Sequence, residues 1–164
     1  MPARPGIARL VGEAIAAGFT LAVASTSAEQ SVRAVLTHAV GSARASTFRV
    51  FAGDMVAAKK PAPDIYLLAL AELGVEADDA VVIEDSANGL RAALGAGLRT
   101  IVTVSSYTRE EDFVGAALVV SSLGDPNDHS EILAAAAGIT PAEYVRIDDV
   151  VALLTTPPPT LENK

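Results

Sequence analysis

Apolar and polar positions in the first forty residues follow a helical period, then a strand-like run, then a helical period again. Apolar residues recur every three or four positions over residues 7–15, which predicts an amphipathic helix that ends at Gly18. The continuous apolar run over residues 19–24 predicts a buried strand. Ser27 stands where a helix cap is expected, ahead of a second helix that runs to about His38.

The same alternation continues along the rest of the chain. Short apolar runs predict further strands over residues 48–51, 80–83, 99–104 and 117–120. Helices are predicted from Asp64 to Gly74, over residues 89–94 and, rich in alanine, over residues 132–137. Apolar strands that alternate with helices are typical of a parallel sheet covered on both faces. The sequence therefore predicts an α/β fold.

Composition sets limits on size and partners. The 164 residues are 51% hydrophobic, which suits one domain with a real core and excludes global disorder. A net charge of −8 argues against nucleic-acid and anionic-membrane partners. The absence of cysteine excludes disulfides, thiolate metal sites and a cysteine nucleophile. No apolar run is long enough to span a membrane, so we expect a cytoplasmic protein, with an upstream targeting segment left open.

The first chemical candidate is the hydroxyl-rich segment Ser25-Thr26-Ser27, which directly follows the first predicted strand. Ligands of such sheets bind beyond the carboxyl ends of the strands. Hydroxyls and free backbone N–H groups at the start of a helix suit a phosphoryl group. The alternative is simple capping of the helix, because serine and threonine are common helix starters.

Two further candidates lie at the same edge of the predicted sheet. Glu84 and Asp85 follow a buried strand, and two adjacent carboxylates there suggest Mg²⁺; the alternative is that Asp85 or Ser86 caps the next helix. Lys60 lies in a proline-stiffened loop and can neutralise phosphate oxygens or an acidic nucleophile, whereas Lys59 is expected to be an exposed surface lysine. Tyr66 is predicted to be a core residue, and residues 110–112 the solvated first turn of a short helix.

The order of these segments resembles motifs two, three and four of the haloacid dehalogenase superfamily. The match runs through Lys-Pro-Ala-Pro-Asp at residues 60–64 and Ile-Glu-Asp-Ser-Ala-Asn-Gly-Leu at residues 83–90. It is similar to the phosphatase and phosphomutase branch that includes β-phosphoglucomutase, and residues 105–117 favour its CbbY-like side. The resemblance covers roughly residues 4–126 and implies a three-layer, Rossmann-like parallel sheet.

The resemblance also implies a function and a set of roles. The activity would be that of a Mg²⁺-dependent phosphohydrolase on a small phosphorylated metabolite, a sugar phosphate or bisphosphate, with a phosphomutase as the alternative. Ser25 and the amides of the next two residues would bind the phosphoryl group. Lys60 would bridge its oxygens and the nucleophile, while Glu84 and Asp85 would hold Mg²⁺.

The family's nucleophile and acid/base belong to an Asp-x-Asp-Gly-Thr segment that closes the central strand, and this sequence contains no Asp-x-Asp. The resemblance therefore implies an incomplete core over residues 4–124, without the central first strand and the helical cap. Residues 125–154 are expected to form a weakly structured or helical extension, and residues 155–164 a mobile tail. The two strands that flank the missing one would pair directly, or something else would fill the slot, such as a separate chain.

Three interpretations stay open at this stage. The chain is the C-terminal part of a complete phosphatase and is inactive alone, because covalent catalysis needs its nucleophile. Alternatively, it is a stand-alone pseudoenzyme that binds Mg²⁺ or phosphate as an interaction module. The third interpretation, least favoured, is that another acid supplies the nucleophile, as in receiver-type α/β domains.

Overall fold

Helices and strands are interspersed along residues 3–157, the part of the chain that the computed structural model describes. The helices are α1 (Ile7–Ala16), α2 (Glu29–Val40), α3 (Ser42–Ala45), α4 (Asp64–Leu73), α5 (Ala87–Gly95) and α6 (Ile147–Leu154). The strands are β1 (Ala22–Ala24), β2 (Arg49–Phe51), β3 (Val81–Glu84), β4 (Arg99–Thr103), β5 (Leu118–Val120) and β6 (Ile132–Ala134). The predicted α/β fold is confirmed.

The strands form two separate sheets. The smaller sheet pairs β1 with β2 in parallel, with Val23 opposite Val50. The larger sheet has the order β3-β4-β5-β6; β3, β4 and β5 are parallel, with Ile83 opposite Ile101, and β6 is antiparallel. Within residues 3–157 no strand lies between β1 and β3. The sheet is therefore interrupted where the central strand was expected to be missing, and the two flanking strands do not pair directly.

Successive residues of β3 pack into different cores, which gives the fold its three layers. Val81 packs against a cluster that includes Leu10 of α1 and Leu153 of α6. The next residue, Val82, packs against a second cluster that includes Ile65 of α4. Successive side chains of a strand point to opposite faces, so α1 and α6 cover one face of the larger sheet and α4 covers the other.

The second cluster also joins the two sheets. Ala24 of β1 and Phe51 of β2 pack with Ile65, and so does Val82 of β3. The two sheets therefore rest on the same helix, α4, although no backbone ladder connects them in the described residues.

The predicted Ser27 cap is wrong. Helix α2 begins at Glu29 with Ala28 as its cap residue, and no side chain bonds to the first turn. Ser27 lies one residue too early, because its carbonyl accepts a hydrogen bond of 3.2 Å from the Gly53 N–H and so ties the segment to the loop after β2.

The predicted alanine-rich helix over residues 132–137 is also wrong. Residues Ile132–Ala134 form β6 at the outer edge of the larger sheet. The Glu131 N–H donates to Ser121 Oγ at 2.9 Å, and the Ser121 N–H donates to the Glu131 carbonyl at 2.9 Å. Pairing with the otherwise open edge of β5 outweighs the modest helix preference of alanine.

The remaining C-terminal segment is folded onto the core by α6, which packs in the same cluster as Val81. The Arg99 Nε–H donates to the Thr156 carbonyl at 3.1 Å, near the end of the described chain. The predicted mobile tail covers residues 155–164, of which residues 158–164 lie outside the described residues, whereas Thr155 and Thr156 bond back to the last turn of α6. The predicted domain boundaries stay predictions. No helix within residues 3–157 has the length and apolar character needed to cross a membrane.

Candidate functional site

The carboxyl ends of the two sheets meet at the amino group of Lys60. Lys60 Nζ donates to the carbonyl of Ala24, the last residue of β1, at 3.0 Å. The same Nζ lies 2.5 Å from Oε1 of Glu84, the last residue of β3. The loop that carries Lys60 contains a cis Lys60–Pro61 peptide bond. One lysine therefore links the ends of both sheets at the edge where ligands of α/β proteins bind.

The Lys60–Glu84 pair is buried. The lysine side chain is 12% exposed and the glutamate side chain 8%. Two charges taken out of water need good geometry and further hydrogen bonds, and removal of one partner leaves the other uncompensated. The Glu84 carboxylate therefore holds the Lys60 ammonium in one position at this edge of the sheets.

Tyr66 supplies the further hydrogen bonds. Its hydroxyl donates to Glu84 Oε1 and accepts from Lys60 Nζ at 3.2 Å, and Nζ lies 4.7 Å from the centroid of its ring. Burial, followed by the negative charge of Glu84, raises the pKa of the phenol far above its ordinary value. The ring is a core residue as predicted, but the hydroxyl belongs to the site. Sequence spacing gives no indication of this role, because it depends on how α4 packs against β3.

Glycine is required where α5 approaches Glu84. A Cβ atom added to Gly89 would overlap the Glu84 carboxylate, which Lys60 and Tyr66 already hold in place. The first turn of α5 can therefore lie directly over the buried ion pair only because residue 89 has no side chain.

Asp85 is placed differently from its neighbour Glu84. It is exposed, and its carboxylate makes no hydrogen bond or ion pair with another residue of the described chain. Ser86, not Asp85, caps α5, because Ser86 Oγ accepts a hydrogen bond of 3.2 Å from the Gly89 N–H. The capping alternative therefore applies to Ser86 and leaves the Asp85 carboxylate available to a ligand.

The hydroxyl-rich segment forms a tight turn immediately after β1. The Ser25 N–H donates to the Phe51 carbonyl at 3.0 Å, and Ser25 Oγ accepts from the Ser27 N–H at 3.2 Å. Ser25 is half-buried, while Thr26 and Ser27 are exposed. Since none of the three hydroxyls caps α2, capping does not explain them. The turn begins one residue after Ala24, whose carbonyl binds Lys60.

Glu111 is a site contact that sequence reasoning missed. Residues 110–112 form a turn instead of the predicted helix, and Glu111 Oε2 accepts a hydrogen bond of 2.6 Å from the Ala87 N–H at the start of α5. A carboxylate at the amino end of a helix is stabilised by the helix dipole. The signal in the sequence that could have identified Glu111 is its position after β4, at the same sheet edge as Asp85.

The carboxylates fit a partial set of Mg²⁺ ligands. No group of three or more histidine, cysteine, aspartate or glutamate side chains able to hold a metal occurs among residues 3–157. Asp85 is free to coordinate, whereas Glu84 already binds Lys60 and Tyr66 through Oε1. Mg²⁺ is commonly held by one or two carboxylates together with water and substrate phosphate, and of these two acids Asp85 is the one whose carboxylate has no other partner in the described chain.

Comparison with known proteins identifies the family. The haloacid dehalogenase-like hydrolase profile matches residues 1–97, more than half of the chain. The chain belongs to this hydrolase family. Among curated relatives of the hydrolase family, protein CbbY of Cereibacter sphaeroides is 53% identical over 123 residues, which cover 74% of this chain and 54% of that protein. A CBBY-like protein of Arabidopsis thaliana is 45% identical over 145 residues, which cover 88% of this chain and 46% of that protein.

A solved member of the hydrolase family has the same fold. CbbY from Rhodobacter sphaeroides, crystallised with phosphate, superposes with a TM-score of 0.69 at 54% identity, over 73% of this chain and 53% of that one. A variant of that enzyme was crystallised with xylulose 1,5-bisphosphate. The chain thus spans about half the length of the curated relatives it matches. The resemblance to the CbbY-like and phosphoglucomutase-like branch is confirmed.

Proposed function

We propose that this chain carries the phosphoryl-binding and Mg²⁺-binding half of a phosphohydrolase that acts on a sugar phosphate or bisphosphate. The observation that carries the proposal is the Lys60–Glu84 pair at the carboxyl ends of both sheets, beside the unpaired carboxylate of Asp85. The phosphate and the sugar bisphosphate bound to a relative 54% identical to this chain support the substrate class.

Each residue has a distinct role in the proposal. Ser25 and the backbone N–H groups that follow it bind phosphoryl oxygens, and Lys60 neutralises their charge from the buried end of the site. Asp85, with Glu84, holds Mg²⁺, and the bound ion neutralises negative charge on the phosphoryl group. Tyr66 remains protonated and keeps Glu84 and Lys60 in place.

The chain alone is proposed to be inactive. Phosphoryl transfer through a covalent intermediate needs a nucleophile beside the phosphoryl site, and no Asp-x-Asp segment is present. Asp54, in the short 3-10 turn Gly53–Met55, is exposed and does not follow a strand between β1 and β3. The absence of an Asp-x-Asp segment also favours a second candidate function: a non-catalytic module that binds phosphate and Mg²⁺ without turnover.

The proposal is tested with a chimera in which this chain replaces the matched part of the Cereibacter sphaeroides CbbY. We expect the chimera to release phosphate from xylulose 1,5-bisphosphate in the presence of Mg²⁺, and the chain alone to release none. In the chimera, Lys60→Met and Asp85→Asn should each lower kcat/KM by about 100-fold or more.

Lys59→Met is the matched control, because Lys59 is exposed and adjacent to Lys60. Its kcat/KM should stay within about twofold of the unsubstituted chimera. Turnover by the chain alone that Asp85→Asn abolishes would overturn the proposed inactivity. A Lys60→Met chimera as active as the Lys59→Met chimera would overturn the proposed site.

A further inference from the structure

We infer that Arg4 is a positioning residue for the proposed Mg²⁺ ligands Glu84 and Asp85. The inference rests on the proposed function, because it concerns the same metal site. Arg4 lies in the segment before α1 and makes no hydrogen bond or ion pair with either carboxylate. Every hydrogen bond of its guanidinium within residues 3–157 goes to a carbonyl or hydroxyl oxygen. It therefore acts on the two acids through the backbone that carries them.

The Arg4 guanidinium joins the carboxyl ends of β4 and β5. Its Nη1 donates to the carbonyl of Thr103, the last residue of β4, at 2.9 Å and to Thr103 Oγ1 at 3.1 Å. Its Nη2 donates to the carbonyl of Val104 and, at 3.0 Å, to that of Ser121, which directly follows β5. A planar guanidinium with charge-assisted bonds holds its acceptors in a fixed arrangement. Arg4 therefore fixes the ends of two neighbouring strands at the edge where the site lies.

Thr103 extends this contact to the end of β3. Its Oγ1, which accepts from Arg4, donates to the Glu84 carbonyl at 3.5 Å. Thr103 is only 6% exposed, so water has little access to the contact. The Glu84 carbonyl and the Asp85 N–H belong to one planar peptide unit. A bond to that carbonyl therefore restricts the backbone orientation at the point where Asp85 leaves β3.

A second route from Arg4 reaches the backbone on the other side of Asp85. Arg4 holds the Val104 carbonyl, where the loop after β4 begins. The same loop carries Glu111, whose Oε2 accepts a hydrogen bond of 2.6 Å from the Ala87 N–H. Groups outside a metal's own ligands commonly set the orientation of those ligands. The backbone before and after the exposed Asp85 is thus connected to one guanidinium.

The position and the charge of Arg4 have opposite effects on Mg²⁺ affinity. Arg4 forms no ion pair with an acid of the described chain, so its positive charge repels a divalent cation at this edge. Loss of the charge alone would therefore tighten Mg²⁺ binding, whereas loss of the ligand orientation would weaken it. The direction of the change separates the two roles.

The experiment titrates Mg²⁺ into the full chain and measures its dissociation constant by calorimetry. We expect Arg4→Met to weaken Mg²⁺ binding by about tenfold or more, the range found when a group that orients a metal ligand is removed. Arg4→Lys, which keeps the charge but lacks the planar fork, should not recover the lost affinity. Thr103→Val should weaken binding by about threefold or more, because it removes the contact to the Glu84 carbonyl.

A double variant tests whether the two residues act along one route. Arg4→Met combined with Thr103→Val should bind Mg²⁺ within about twofold of Arg4→Met alone, because the second change removes a contact that the first has already weakened. Independent losses that multiply would contradict the connection through Thr103.

Two residues of β4 give matched controls for a purely structural effect. Arg99, at the opposite end of the strand, is 5% exposed and donates to the carbonyls of Asp78 and Thr156 at 2.9 and 3.1 Å. Thr100 is fully buried in the same strand as Thr103. Arg99→Met and Thr100→Val should destabilise the fold in urea as much as their counterparts do, yet leave Mg²⁺ affinity within about twofold. If Arg4→Met does not fold, Thr103→Val against Thr100→Val decides the inference.

Hydrogen exchange of the metal-free chain provides a readout that does not depend on Mg²⁺. The Glu84 and Ala87 amides should exchange at least about fivefold faster in Arg4→Met than in the unsubstituted chain, and at an unchanged rate in Arg99→Met. Unchanged exchange at both amides in Arg4→Met would overturn the inference.

Three results of the titration would also overturn it: unchanged or tighter Mg²⁺ binding by Arg4→Met, recovery of affinity in Arg4→Lys, or an equal loss in Arg99→Met. A different result would count against the proposed function instead, namely an unsubstituted chain that does not bind Mg²⁺ or that binds it equally well as Asp85→Asn. In that case the exchange rates of the metal-free chain still decide whether Arg4 holds this segment.

Discussion

Tyr66 shows how one hydroxyl can stabilise a buried ion pair. Glu84 Oε1 receives both the Lys60 ammonium and the Tyr66 phenol, and Tyr66 also accepts from Lys60. Three polar groups thus satisfy one another in a place from which water is largely excluded. Such networks rigidify the groups they contain, whereas a partly satisfied network is costly.

Removal of the Tyr66 hydroxyl should destabilise the fold by about 1–2 kcal/mol, because a buried hydrogen bond to a charged group is lost. The variant is Tyr66→Phe, measured by urea unfolding at pH 7. Tyr107→Phe is the control, since Tyr107 is 93% exposed and its loss should change the unfolding free energy by less than about 0.5 kcal/mol. Equal stabilities of the two variants would contradict the assigned role.

The same hydroxyl makes stability depend on pH on the alkaline side. Below the ordinary phenol pKa of 10.0, Tyr66 is protonated in the folded and in the unfolded chain, so its contribution is fully present. Above that pH the unfolded chain releases the proton and the folded chain retains it, so stability falls. The unfolding free energy should therefore decrease more steeply above pH 10.0 in the unsubstituted chain than in Tyr66→Phe.

At the scale of elements, the start of α5 is held from two directions. Ser86, the residue directly before the helix, caps it through Oγ. Glu111, from the loop after β4, accepts a hydrogen bond of 2.6 Å from the Ala87 N–H. Asp85 lies between β3 and this doubly held turn. The backbone that follows the proposed metal ligand is thus held by a loop that is distant in sequence.

Glu111→Ala should loosen the start of α5. We expect a loss of about 1 kcal/mol, the usual cost of removing a helix-capping group, and faster hydrogen exchange at the Ala87 amide. Glu110→Ala is the control, because Glu110 is an exposed neighbour without a hydrogen bond or ion pair in the described residues. If both variants left the hydrogen exchange of the Ala87 amide unchanged, the hydrogen bond from Ala87 to Glu111 would not stabilise the start of α5.

At the scale of the whole molecule, Arg9 joins the first helix to the C-terminal segment. Its guanidinium donates to the carbonyls of Gly124 and Val145 at 2.7 and 2.8 Å and forms ion pairs with Glu13 and Asp125. Charge-assisted bonds to backbone carbonyls are stronger than neutral ones. Arg9 therefore links α1 to residues after β5, together with Glu13, whose Oε2 accepts a hydrogen bond of 2.9 Å from the Ile147 N–H.

Arg9→Met should lower the unfolding free energy by about 2–4 kcal/mol, because several partly buried groups lose their partner at once. Arg33→Met is the matched control: Arg33 also pairs with a glutamate four positions away, Glu29, but both side chains are about half exposed. Its cost should stay below about 0.5 kcal/mol. Urea unfolding of both variants measures the difference, and similar losses would refute the role given to Arg9.

Apolar patterning and motif order are enough to predict most of the elements and the order of the site segments. The apolar patterns locate α1 and the parallel strands, since burial of one helix face or of a whole strand leaves a pattern in the chain, and start and stop residues locate α4. The positions of Ser25 and Glu84 at strand ends, and of Lys60 in the loop before α4, follow from the same pattern together with the resemblance to the family.

Which groups come into contact depends on how the elements pack. Residues 132–134 became a strand because an open sheet edge outweighs local helix preference, and the hydroxyl of Tyr66 joined the site because α4 packs beside β3. The sequence left open whether β1 and β3 would pair directly. In the structure they do not pair and belong to separate sheets, although both pack on α4 in a shared core.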